Sequence, residues 1–144
     1  MVNDQKMVRE AEAFAKKKGK QLIEISNWYI NKFKNKHTVK LDVGIEEFLG
    51  YMKYADTVIC NAFHGFCFSV IFRRPVFLFQ RDTSDYRMNN ITDALGLSDR
   101  MIAVDNKQIP LDIKQIDYEH VYKLLHSHRE RSYKFIDKYI INPK

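Results

Sequence analysis

No stretch of this chain reaches 18 consecutive apolar residues, so no single run is long enough for a membrane-spanning helix. The opening residues, MVNDQKMVREAEAFAKKKGK, lack the apolar core of a secretory signal. A Walker lysine loop, a GxGxxG turn and a GxSxG elbow are all missing, and no serine or cysteine nucleophile stands beside a base. His120, His126 and His128 crowd onto different helical faces, without the i, i+4 spacing of a zinc helix, and no Cys/His set has structural zinc spacing. The expectation is therefore no metal and no bound cofactor.

Cysteine is scarce. Cys60 and Cys67 both sit among apolar residues and read as buried thiols of a reducing cytoplasm, not as a disulfide. Arginine is scarce near the amino end, where residues 1–40 hold nine lysines and one arginine. A dedicated phosphate reader leans on arginine's fork, and no aromatic stacking platforms accompany these lysines. Nucleic acid is thus the weakest partner class. Internal repeats, low-complexity tracts and a linker that would split the chain are also absent.

What is present suits one α/β domain spanning residues 1–144, since 45% hydrophobic and 13% aromatic content supports a real core. The net charge of +6 is uneven: residues 1–40 carry ten basic and four acidic side chains, and the rest carry fourteen of each. A basic end can face an anionic membrane surface, an anionic polysaccharide carrier or nucleic acid, or it can be a solvated helix face. Peripheral membrane association stays open on this reading.

The periodicity predicts a first helix capped by Asn3 or Asp4, with Met7, Val8, Ala11, Phe14 and Ala15 on one face and Gly19 at its C′ position. Residues 21–25 read as a strand. Residues 26–43 read as a long irregular basic loop containing Trp28 and Tyr29. Ile45, Phe48, Leu49 and Met52 give a second amphipathic helix. Strand 57–60, helix 64–73 and strand 76–80 follow, and the helix is apolar nearly all round, which predicts burial on more than one side. A polar loop, a helix over 86–95 stopped by Gly96, a brief strand over 101–104 and a connector over 110–116 come next. A final helix over 117–141 carries the stripe Val121, Leu124, Leu125, His128, Ser132, Phe135, Ile136 and Tyr139. On that stripe His128 reads as a buried, satisfied histidine.

Strand, helix and strand within residues 55–80 make a βαβ unit. In an open parallel sheet, ligands bind at the carboxyl ends of the strands. The loops after strands 21–25, 57–60 and 76–80 should therefore face one crevice, lined by residues 26–34, 61–64 and 81–87. His64 stands where a strand's carboxyl end meets a helix's amino end, whose free N–H groups favour an anion. Gly65 removes bulk there. Arg87, on the same edge, can fork onto a carboxylate or phosphate, or can pair with Asp82 or Asp85. His64 can equally cap its own helix or be satisfied in the core. Arg73 and Arg74 end a helix, where cations complement the dipole.

These residues resemble the polysaccharide pyruvyl transferase family. The resemblance is carried by Phe48-Leu49, by Ala55 through Gly65, by Phe68 through Phe72, and by Arg74-Pro75. Ser84 to Arg87, Leu95-Gly96-Leu97-Ser98-Asp99-Arg100 and the final helix extend it over roughly residues 1–140. Asn61-Ala62 departs from the family pattern, because Ala62 offers no hydroxyl.

The resemblance implies a Rossmann-like parallel sheet with flanking helices, similar to the carboxyl-terminal half of a two-domain GT-B fold. It implies a fragment of a longer cytoplasmic enzyme whose missing N-terminal domain supplies the other cleft wall. The donor would be phosphoenolpyruvate, the acceptor a sugar or lipid-linked saccharide of exopolysaccharide synthesis, and the product a pyruvate ketal. His64 would be catalytic. Asn61, Gly65, Arg87 and Arg81 would bind substrate. The isolated piece would be inactive, because a cleft enzyme needs both halves. A nucleotide-sugar-binding GT-B half and a non-catalytic module for an anionic ligand are the alternative readings.

Overall fold

The computed structural model describes residues 5–26, 37–80, 86–103, 108–112 and 114–142. Helix α1 (Gln5–Lys18) buries Ala11 and Ala15 and half-buries Met7 and Phe14, as its 3.6-residue period predicts. Three lysines in its last turn complement the carbonyl end. Gly19 follows at φ 62°. The Lys20 N–H reaches the Ala15 carbonyl at 2.9 Å and the Gly19 N–H reaches that of Lys16 at 3.2 Å, a left-handed glycine stop that satisfies orphan carbonyls. The expected caps Asn3 and Asp4 lie outside the described residues.

Strand β1 (Ile23–Ile25) pairs in parallel with β2 (Thr38–Lys40), Ile23 opposite Thr38. This corrects the reading of 26–43 as wholly irregular. A Thr-Val-Lys strand shows no apolar run, and the pairing with β1 is what stabilises it. His37 pins the pair to α1. Its Nδ1 lies 2.8 Å from Glu12 on α1, and its Nε2 lies 2.8 Å from Glu24 on β1. Trp28, Tyr29 and the rest of 27–36 lie outside the described residues.

Helix α2 (Ile45–Tyr54) buries Met52 and leans Phe48 on the core. Ile45, expected on its apolar face, is 81% exposed, because the first helical residue sits before that face meets anything. Strand β3 (Val58–Cys60), helix α3 (Phe63–Ile71) and strand β4 (Val76–Phe79) form the expected βαβ unit. Helix α4 (Tyr86–Ala94) leads through a 3₁₀ turn (Ser98–Arg100) to β5 (Met101–Ile102).

Strands β3, β4 and β5 form one parallel sheet in that order. All four residues of β4 are buried, because the sheet is covered on both faces. Side chains alternate across a strand. Val76 and Leu78 therefore join Met52, Phe66, Val70, Met88, Leu95 and Val121 on one face. Phe77 and Phe79 join Ile102 and Ile109 on the other, where α1 packs Phe14 edge-on to Phe77 at 5.6 Å. The chain is a mixed α/β domain of parallel strands flanked by helices, consistent with a Rossmann-like fold.

Helix α3 buries Phe66, Ser69 and Val70 on one side and on another sets Phe68 edge-on to Phe48 and stacked on Phe72, as its all-round apolarity predicts; Ile71 is the exception at 54% exposure. It stops at Arg73, which takes φ 54° while the Arg74 N–H reaches the Ser69 carbonyl at 2.8 Å. A non-glycine residue there is uncommon. The Arg73 side chain lies against Glu119 at 2.8 Å and over the Tyr122 ring at 4.6 Å.

Helix α5 (Tyr118–Ile136) is capped by Asp117, which accepts from the His120 N–H at 3.1 Å, and ends in a wider π-type turn (Asp137–Ile141). Tyr118 donates its hydroxyl to the Arg74 carbonyl, and Tyr122 donates to that of Ile71 at 2.9 Å. Val121 is buried and Leu124 and Leu125 are half-buried. From His126 to Asn142 every residue is exposed. This corrects the reading of His128 as buried: the apolar stripe continues along the helix, but the body it could pack against ends near Leu125.

Candidate active site

The carboxyl ends of β3, β4 and β5 share one edge of the sheet, because the three strands are parallel. After β3 the chain passes through Asn61, buried at 8%, and Ala62 into the first turn of α3. Ala62 is extended (φ −125°, ψ 139°) and makes no side-chain cap. The first intrahelical bond is from the Phe66 N–H to the Ala62 carbonyl at 3.2 Å. The N–H groups of Phe63, His64 and Gly65 precede it, so the helix presents donors and the positive end of its dipole at this edge.

His64 is exposed on that turn. Its ring stands edge-on to Phe63, with centroids 6.0 Å apart and planes at 86°. The Arg87 guanidinium, from the first turn of α4, lies 5.0 Å from the Phe63 centroid. Phe63 thus holds an imidazole and a cation around one ring. Such a guanidinium–ring contact contributes about 0.5–1 kcal/mol when exposed. The structure therefore places His64 and Arg87 each against Phe63, with Asn61 just before that turn and Gly65 within it. Of the crevice residues, 27–34 and 81–85, including Arg81, Asp82 and Asp85, lie outside the described residues.

Gly65 has a packing reason for its identity. A Cβ there would sit 3.0 Å from the Cys60 Cβ and 3.2 Å from its Sγ. The first turn of α3 lies directly on the end of β3, and a larger residue there would have to push the two apart by a few tenths of an ångström.

Both cysteines are free thiols. Burial pushes the Cys60 thiol up to about 12, against a smaller opposing contribution from the Ala62 backbone. Burial also raises the Cys67 thiol, while the Arg87 cation pulls it down. Neither is a nucleophile at neutral pH.

The roles of two residues, one in the site region and one away from it, escaped the sequence reading. Phe63 fell within the expected crevice stretch 61–64 with no role of its own; its adjacency to His64 was the available signal. Arg100 belonged to a quoted motif with no role attached. It is 4% exposed, and its guanidinium bonds the Lys114 carbonyl and faces Asp99 at 3.2 Å. It ties the 3₁₀ turn to the connector before α5, at the opposite edge of the sheet from His64.

A cavity of about 560 Å³ adjoins the His64 corner, bounded by Phe63, Arg87 and Asn90, by Ile91 and Leu95, and by Leu125 and His128 of α5. Among the described residues no helix is long and apolar enough to cross a membrane.

A family model described as polysaccharide pyruvyl transferase matches residues 1–83, more than half of the 144-residue chain. No curated protein and no solved structure matches the chain.

Proposed function

The chain belongs to the polysaccharide pyruvyl transferase family, and on that premise we propose that it forms the donor-binding wall of an enzyme that transfers pyruvate from phosphoenolpyruvate to a sugar. The observation that carries this reading is the uncapped amino end of α3, with His64 exposed on it and Arg87 held beside it through Phe63. An anion at that helix end meets N–H donors and a positive dipole, and Arg87 adds a full charge.

The chemistry needs a proton on the enol carbon and two new carbon–oxygen bonds at the donor's central carbon. Its phosphate ester bond breaks. Of the two sugar hydroxyl protons, one is matched by the proton gained at the enol carbon and the other leaves with phosphate. His64 delivers the proton to the enol carbon or binds the phosphate. Arg87, with Arg81, holds the donor's anionic groups, and Asn61 and Gly65 complete the donor pocket. A second domain supplies the facing wall and the base for the acceptor, so this piece alone has no turnover. The setting is cytoplasmic, with a saccharide acceptor, lipid-linked or free, and no cofactor beyond the donor.

The test is an amide NMR titration with phosphoenolpyruvate, inorganic phosphate and a UDP-sugar. Saturable shifts at Asn61 to Gly65, stronger for phosphoenolpyruvate than for phosphate, are expected. Shifts with the UDP-sugar alone would point to a glycosyltransferase half instead. In the full-length enzyme, His64→Ala is expected to slow ketal formation by about 10²–10⁴-fold with the fold intact. An unchanged rate would falsify the assignment of His64.

A further inference from the structure

The cavity beside the His64 corner has a definite chemical character. Its floor is apolar: Phe63, Ile91, Leu95 and Leu125, of which Leu95 is only 3% exposed. Three exposed polar side chains also line it: Arg87, Asn90 and His128. One is a cation, one an amide that both donates and accepts, and one an imidazole that can do either. A volume of about 560 Å³ is ample for one or two sugar rings and falls in the usual range for small-ligand pockets.

We infer that this groove is the acceptor subsite and takes one pyranose ring of the saccharide; the inference rests on the pyruvyl-transfer reading. A pyranose ring is amphipathic. One face presents C–H groups and its edge carries hydroxyls that both donate and accept. An apolar floor with a donor-and-acceptor rim matches that pattern. A nucleotide diphosphate would need more than the one guanidinium that lines the groove among the described residues. A purely apolar chain would leave three polar groups to be desolvated without partners, which is costly.

Position supports the same occupant. Phe63 and Arg87 belong both to this groove and to the corner around His64. A sugar seated on the floor therefore lies one side chain away from the donor site. His128, carried there by α5, bounds the groove from the side opposite α4 and gives that helix a functional contact beyond its packing.

The test uses amide and saturation-transfer NMR on the 144-residue chain with a panel of methyl glycosides of gluco, galacto, manno and 2-acetamido configuration. At least one glycoside is expected to shift the amides of Ile91, Leu95 and Leu125 saturably. The double variant Asn90→Ala/His128→Ala changes two exposed side chains, so folding is not at stake. It should weaken that glycoside about tenfold, the worth of two hydrogen bonds, and leave phosphoenolpyruvate shifts at Asn61 to Gly65 unchanged. Absence of any glycoside response overturns the inference. So do shifts that survive the double variant, or shifts confined to Arg131 to Ile136 further along α5. Glycoside binding with silence from phosphoenolpyruvate would overturn the donor reading and leave the sugar groove standing.

Discussion

Gly65→Ala sets two known effects against each other, and the structure decides which wins. Alanine in place of glycine in a helix interior gains up to about 1 kcal/mol, and less in a first turn. Against this, the new Cβ would meet the Cys60 Cβ at 3.0 Å and the Sγ at 3.2 Å. Optimal carbon–carbon contacts lie at about 3.5–4.0 Å, so the turn must retreat by roughly half an ångström. The Cys60 Cβ is fixed to the backbone of β3 and cannot swing away. Overpacking of this kind costs about 1–3 kcal/mol. The net expectation is a destabilisation of about 1–2 kcal/mol, a fall in melting temperature of roughly 2–8 °C for a domain of this size.

The assay is urea unfolding of four proteins: the parent, Gly65→Ala, Cys60→Ala and the pair. Cys60→Ala removes the sulfur but keeps the Cβ, so Gly65→Ala should cost less in that background yet still cost something. A coupling of at least about 0.5 kcal/mol is expected for residues in contact. A Gly65→Ala variant as stable as the parent, or strictly additive effects in the pair, would refute the close-approach argument. Because His64 sits on the same turn, the same retreat should also weaken phosphoenolpyruvate binding.

Three further outcomes are expected. The Cys60 thiol is raised from 9.0 to about 12 in the folded state. The unfolded chain thus loses that proton first, and stability falls from pH about 9 towards about 12 by up to ~1.4 kcal/mol per unit. Cys60→Ala should flatten this alkaline slope in denaturation curves, and a parent with no slope there would contradict it. His37→Ala removes the ring that lies 2.8 Å from both Glu12 and Glu24 and joins α1 to β1; urea unfolding should show a loss of about 1–3 kcal/mol, with His37→Gln milder. Asp117→Ala removes the cap of α5 and should cost about 1 kcal/mol by thermal melting, without altering phosphoenolpyruvate shifts at Asn61 to Gly65.

Much of the fold was legible because its elements announce themselves by period and punctuation. The βαβ unit around His64 needed only two short apolar runs, a polar break and Pro75. Gly19 and Gly96 marked helix ends and are found at φ 62° and 66°. Strand β2 escaped because three residues without an apolar run carry no periodic signal; its evidence is the pairing with β1 and the His37 clamp, both long-range. His128 was misjudged because a helical stripe shows which residues share a face, not how far the opposing body extends. For Gly65 the site argument looked outward to a ligand, while the close contact lies inward at Cys60. The meeting of His64 and Arg87 around Phe63 depends on how α3 and α4 pack, and no local pattern encodes it.

Helix α5 is fastened to α3 through Tyr122 and to the turn after α3 through Tyr118, and runs free beyond Leu125, which gives it the mechanics of a lever. The fulcrum lies near Tyr122. His128 lies six residues along, about 9 Å, and Ile136 fourteen residues along, about 21 Å, at the usual rise per residue. A body pressing near Ile136 therefore moves the groove wall by less than half of its own displacement. A push at the far end reaches the groove attenuated, as a fine adjustment of its width and not a gross opening.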